Sequence, residues 1–224
     1  MHIPDGYLGP QTYIPMYAVF AGFISVAIKK LKEKLTTRFV PYLGMATAFT
    51  FLIMMFNVPI PGGTTGHAVG AAIVGIILGP WVALIAVSIA LIIQALIFGD
   101  GGITAIGANC FNMAIVMPFV AVWVFNLIHQ NSDNPVRLRW AAFFSGYISL
   151  NIAAIVTAFM FGIQPIIAKS PEGTPLYSPY PLKIAIPAMA TEHLVLFGIV
   201  EGVITMLIFS YFYKNQKDII FSLK

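Results

Sequence analysis

Nearly all the chemistry this sequence offers lies in four histidines, two glutamates within an apolar run and the first two residues. A chain opening Met1-His2 can present three nitrogens to one ion: the α-amine, the deprotonated amide of His2 and its imidazole Nδ1. These close a five- and a six-membered ring, which enforces a plane and leaves one in-plane position open. His67 can fill that position. Four planar nitrogens select Cu(II) or Ni(II) over Zn(II), which prefers a tetrahedron, and no carboxylate cage suits Mg(II) or Ca(II). Removal of an initiator methionine needs a small second residue, so His2 favours retention of Met1. Spacing alone equally accommodates an incidental His2 and a His67 that caps a helix.

The elements that must position these residues are membrane spans. Of 224 residues, 59% are hydrophobic and 9% charged, against about 25% charged in soluble chains. So little charge cannot cover a water-facing surface, which excludes a soluble domain, a disordered chain and a nucleic-acid binder despite the net charge of +4. Residues 39–99 contain no Asp, Glu, Lys or Arg, and a spanning helix needs roughly 20 apolar residues. The expected fold is an all-α polytopic membrane protein, one transmembrane domain over 1–224. Its spans fall at about 11–28, 40–57, 67–79, 81–98, 103–128, 140–163 and 184–213. Gly- and Pro-rich punctuation separates them. The single cysteine, Cys110, excludes a disulfide framework or cysteine-rich metal cluster. Met1 to Gly6 lacks the basic and apolar regions of a signal peptide.

Basic residues set the expected orientation. Lys29, Lys30, Lys32, Lys34 and Arg38, then Arg137 and Arg139, then Lys214, Lys217 and Lys224 share one side if all seven segments cross; only Lys169 and Lys183 oppose them. The N-terminus then lies outside and the C-terminus in the cytoplasm. The weak link is 67–79, only 13 residues long.

On the outer side Met1, His2 and His67 can meet. An imidazole bound to metal usually has its other nitrogen held by an oxygen, for which Asp5, Thr64, Thr65, Asp100, Asn109 and Asn112 are candidates. Asn109 and Asn112, three apart, share a helix face. Glu192, His193 and Glu201 lie in the last span; His193 and Glu201 are about 12 Å apart along a helix and cannot share an ion. A structural network, a proton path and a partner contact all remain open for them. His129 reads as a solvated residue at a span end.

Several motifs together resemble the CbiM/NikM family, the substrate-binding membrane subunits of nickel and cobalt energy-coupling-factor transporters. They are Met1-His2-Ile3-Pro4-Asp5-Gly6, Pro61-Gly62-Gly63-Thr64-Thr65-Gly66-His67, Phe98-Gly99-Asp100-Gly101-Gly102, and Gly107-Ala108-Asn109 with Asn112-Met113. The resemblance implies Met1, His2 and His67 as metal ligands, the set that coordination chemistry also reaches. It implies Ni(II) or Co(II) as substrate, no cofactor, and a prokaryotic plasma membrane. The implied partners are a transmembrane coupling subunit, two cytoplasmic ATPases and a small accessory membrane subunit.

The chain itself has no Gly-x-x-x-x-Gly-Lys-[Ser/Thr] motif, so ATP hydrolysis is expected in partners and the chain is not read as an enzyme. An intramembrane metalloenzyme would need His-Glu-x-x-His, which is absent. The alternative is a stand-alone divalent-cation transporter or channel. Such proteins usually place their ionisable residues near the midplane of inverted repeats; no repeat appears here. Nickel and cobalt are not separable at this level.

Overall fold

The computed structural model describes residues 1–32 and 39–223. Lys34, Arg38 and Lys224, which enter the charge count, lie outside the described residues. Seven principal helices follow in order: α1 (Pro10–Leu31), α2 (Val40–Met54), α3 (Ala71–Leu78), α4 (Pro80–Phe98), α5 (Ile106–His129), α6 (Pro135–Gly162) and α7 (Leu182–Asn215). Four begin with a proline at their first or second position, namely Pro10, Pro41, Pro80 and Pro135. There the missing N–H costs nothing and the fixed φ is already helical. Asn134 caps α6, accepting from the N–H groups of Val136 (2.9 Å) and Arg137 (3.4 Å). α1, α4, α5, α6 and α7 are long and apolar enough to cross a membrane, and α2 is a shorter apolar helix.

The segment expected to cross at 67–79 is built differently. Only Ala71–Leu78 is helical, about 12 Å of rise, and residues 67–70 are not. Yet the chain from 62 to 79 follows α7 and the tail beyond it. A Cβ added at Gly62 would touch Ile184, one at Gly63 Met189, one at Gly66 Phe197, and one at Gly79 Phe221. Between these, Glu201 meets Val69 and Gly70. The traverse is therefore composite, extended chain first and helix second. Irregular backbone at such depth is tolerated only where protein surrounds it.

The interior is filled by small and apolar side chains of α3 to α6 together with Met1, Ile3 and Leu8 of the N-terminal segment. Large apolar side chains such as Leu52, Phe56, Ile97, Trp123 and Val195 point outward, as a lipid-facing surface requires. This is a multi-pass membrane protein. Its two ends differ in charge. Lys30 lies over the Trp81 ring, Lys217 pairs with Asp133, and Phe221 packs at Gly79, which gathers the ends of α1, α5 and α7 and the starts of α4 and α6. At the opposite end Asp5 meets Thr104 and Asn57 meets Asp100.

Candidate metal site

Two non-helical arms converge inside the bundle. The first is Met1–Gly9. Asn109 clamps it: its Oδ1 accepts from the Ile3 N–H (2.9 Å) and its Nδ2 donates to the Ile3 carbonyl (3.1 Å). The Gly102 N–H adds a third bond to that carbonyl at 2.8 Å. Asp5 accepts from the N–H groups of Ile103 (3.1 Å) and Thr104 (2.9 Å). Partial burial would raise the Asp5 carboxyl, but these donors and the Thr104 hydroxyl together hold it below its usual range. A Cβ at Gly102 would sit 2.3 Å from the Asp5 nitrogen, so the arm seats only because this position is glycine.

The second arm is the hairpin of β1 (Val58–Pro59) and β2 (Thr65–Gly66), followed by the loop to α3. It carries Thr65 and His67. The Met1 amine donates to the Thr65 carbonyl and to Thr65 Oγ1 (2.9 Å), and the His2 N–H reaches the same hydroxyl at 3.2 Å. The His2 and His67 rings lie 4.6 Å apart between centroids.

Each ring has one nitrogen engaged and one bare. His2 Nε2 pairs with Gln94 Oε1 at 3.2 Å, while Gln94 Nε2 donates to the Phe51 carbonyl at 3.3 Å. His67 Nδ1 donates to the Ala68 carbonyl at 3.0 Å. Both pairings direct the proton to the engaged nitrogen and leave a lone pair on the other. His2 Nδ1 and His67 Nε2 are buried without a hydrogen-bond partner; Asp100 Oδ1 lies 3.4 Å from the former but is not aligned to bond it. Burial, then the adjacent amino terminus, drives the His2 imidazole down to about 3. Burial likewise lowers the amine, against the pull of Asp100. Among the described residues, no cluster of three His, Cys, Asp or Glu side chains could hold an ion. An ion held here would need main-chain nitrogen.

The structure thus brings Met1, His2 and His67 together with Thr65 and Asp100. The supporting tier differs from the sequence expectation. None of the six expected side chains holds the far nitrogen of either ring; Gln94 and the Ala68 carbonyl do. Gln94 was missed, although it is the only amide or charged side chain within α4, which was the available signal. Asp5 and Asn109 fix the N-terminal arm rather than a ring. Thr64 Oγ1 points to Met189 Sδ at 3.8 Å, and Asn112 Nδ2 to Met160 Sδ at 3.6 Å, and neither bonds a ring nitrogen. Asn109 and Asn112 take different partners, Ile3 and Met160, and a π-helical turn, Cys110–Val116, starts between them. His129 is not solvated: it is buried and stacked 5.4 Å from Phe125. His193 opens another π-helical turn; its Nδ1 bonds the Met189 carbonyl at 2.7 Å and its Nε2 is unpartnered.

The family described as the cobalt uptake substrate-specific transmembrane region, CbiM, matches residues 2–219. The chain belongs to the CbiM family. It is 45% identical over 98% of its length to the fused nickel transport protein NikMN of Rhodobacter capsulatus. It is 46% identical over 94% of its length to the probable fused nickel transport protein LarMN of Lactiplantibacillus plantarum. The chain spans 64% of the length of each of these fused relatives. A cobalt transport protein CbiM of Anoxybacillus flavithermus is 28% identical over 97% of the chain. Two solved structures titled as a transition metal transporter share 48% identity with it; one superimposes with a TM-score of 0.92 over 96% of this CbiM-family chain and 99% of its own. Its relatives are metal transport proteins, and metal uptake is the family's business.

Proposed function

We propose that this chain captures Ni(II) or Co(II) from outside the cell and hands it over as the substrate-binding subunit of an energy-coupling-factor transporter. The observation that carries the reading is the pair of buried, bare nitrogens, His2 Nδ1 and His67 Nε2, beside the Met1 amine. With the His2 amide nitrogen they make a four-nitrogen set for a planar ion. The ion is the substrate, and no cofactor is invoked. Nickel is the favoured cargo: relatives named for nickel are 39–46% identical and those named for cobalt 27–33%. In this reading the basic end faces the cytoplasm, the N-terminus lies outside, and the chain is not an enzyme. ATP hydrolysis belongs to two cytoplasmic partners acting through a transmembrane coupling subunit, with a small accessory membrane subunit beside it, in a prokaryotic plasma membrane.

The testing experiment is a Ni(II) titration of purified protein that starts at Met1, beside a version with one residue inserted before Met1, followed by visible absorption. A yellow planar-nitrogen spectrum in the first alone is the expected result. Equal behaviour in both would make His2 incidental and restore the alternative of a stand-alone cation transporter or channel.

A further inference from the structure

Residues 67–70 lie between β2 and α3 without secondary structure of their own, in the middle of the bundle. Their N–H groups have no water to turn to and must find acceptors in the protein. Glu201 of α7, fully buried, supplies them. Its Oε2 accepts from the Val69 N–H at 2.8 Å, and both oxygens accept from the Gly70 N–H at 3.0 Å. Gly70 can serve because it adopts φ +74°, which turns the chain into α3. Among the described residues, neither the Lys217–Asp133 ion pair nor the His2–Asp100 contact involves Glu201. A carboxylate on a spanning helix is expensive, and this one is spent wholly on the backbone that follows His67.

One peptide group matters most. The Val69 N–H that Glu201 accepts and the Ala68 carbonyl that holds His67 Nδ1 are the two ends of the same peptide. Carboxylate, peptide and imidazole therefore form a line ending at the bare His67 Nε2. Histidine ligands are commonly oriented by a carboxylate on their far nitrogen; here the contact is relayed through the 68–69 peptide, whose dipole a carboxylate at its N–H end would strengthen.

We infer that Glu201 is the positioning residue of the metal site, acting through the Ala68–Val69 peptide to fix the direction and proton placement of His67. The inference rests on His67 being a ligand. It also gives Glu201 a role that a helical reading of the sequence could not, since the contact runs to a residue 132 positions earlier.

The experiment is a Ni(II) titration of the full chain in detergent, followed by visible absorption, for Glu201→Gln, His67→Ala and the double variant. Glu201→Gln keeps the shape but aims an amide at N–H donors; binding should weaken about 10- to 100-fold, as for other outer contacts of metal ligands, with a shifted planar-nickel band. In the His67→Ala background the same change should cost nothing further. Thr205→Val, one turn along α7, serves as the control; its buried hydroxyl has no partner, and affinity should stay unchanged. If His67→Ala alone leaves affinity unchanged, the ligand reading itself fails. If His67→Ala weakens binding while Glu201→Gln leaves affinity and spectrum unaltered, the relay is wrong. An equal cost of Glu201→Gln in both backgrounds would reduce Glu201 to a general scaffold and overturn the inference. Should Glu201→Gln yield no folded protein, Glu201→Asp carries the same cycle, with weakened binding supporting the relay and native binding overturning it.

Discussion

If Met1, His2 and His67 hold the ion as proposed, the two arms of the site solve the same problem in opposite ways. The N-terminal arm concentrates its donor nitrogens in two adjacent residues, so their mutual geometry is fixed by covalent bonds. Its anchors, Asn109, Gly102 and Asp5, need only hold the arm as a whole. The hairpin arm contributes one imidazole, and covalent geometry does nothing to aim it. Aim comes from far along the chain: Glu201 on the peptide after it, Phe197 against Gly66, and Met189 against Gly63. A chelate is thus local and sturdy, whereas a lone ligand inherits the precision of the tertiary structure behind it. Damage to the first arm should act at once on several bonds to the ion. Damage behind the second should act on one.

The largest expected effect follows from the first arm. Inserting one residue before Met1 converts the amine to an amide and displaces the arm from Thr65. It should weaken Ni(II) binding by more than about a hundredfold, beyond the range of losses at outer contacts, as read by equilibrium titration. His67→Ala removes one donor and leaves the chelate intact. It should cost less than the insertion, with a residual complex still visible in absorption. If the lone imidazole proved the costlier loss, the contrast between the arms would be reversed. Next comes Gln94→Leu, which frees the proton of His2 Nε2 to move to Nδ1. It should weaken binding about tenfold, at the lower end of outer-contact effects, while Gln94→Glu, which still accepts from Nε2, should retain most of the affinity.

The same contrast explains what was legible in the sequence. Met1, His2 and His67 stood out because their donor types and termini are unusual on their own. The helices were legible because a chain free of Asp, Glu, Lys and Arg from 39 to 99 has few alternatives in water or lipid. What did not show was whatever depends on a π-helical turn or on extended chain within the bundle. Asn112 was read on an α-helical face shared with Asn109, but a π-helical turn, Cys110–Val116, starts between them, and another opens at His193. The 67–79 segment is apolar enough for a helix, yet its first residues are claimed by Glu201 and by glycine at positive φ. Hydrophobicity reports that a segment is buried; it is silent on the backbone shape it adopts there.

Acidity offers a test that separates main-chain nitrogen from imidazole. The His2 imidazole, held down to about 3 by burial and the neighbouring amino terminus, is already neutral throughout pH 5–8 and contributes no proton competition there. A nickel ion bound through the His2 amide must still expel its proton. Release of one proton makes log affinity rise with pH by about one per unit, and any proton retained on the amine would steepen the slope. Titrations at several pH values should show affinity falling as pH drops from about 8 to 5. A flat profile would leave the amide out of the site and reduce the first arm to ordinary side-chain ligation.

The smallest effects should come from the two asparagines, and their difference is informative. Asn109→Leu removes both hydrogen bonds to Ile3 and leaves the Ile3 N–H buried without an acceptor. Such a group costs about 1–3 kcal/mol; if about 1.4 kcal/mol of that falls on the bound state, the first arm loosens and nickel dissociates about tenfold faster. Asn112→Leu removes a contact to Met160 sulfur only and replaces an amide whose Oδ1 is buried without a partner. Exchanging an unsatisfied polar group for an apolar one of similar size is close to neutral for stability. Nickel affinity and dissociation rate should therefore match the parent. Stopped-flow chelator exchange on both variants decides the matter: a large effect at Asn112 would mean that the π-helical turn itself, rather than the clamp on Ile3, holds the first arm in place.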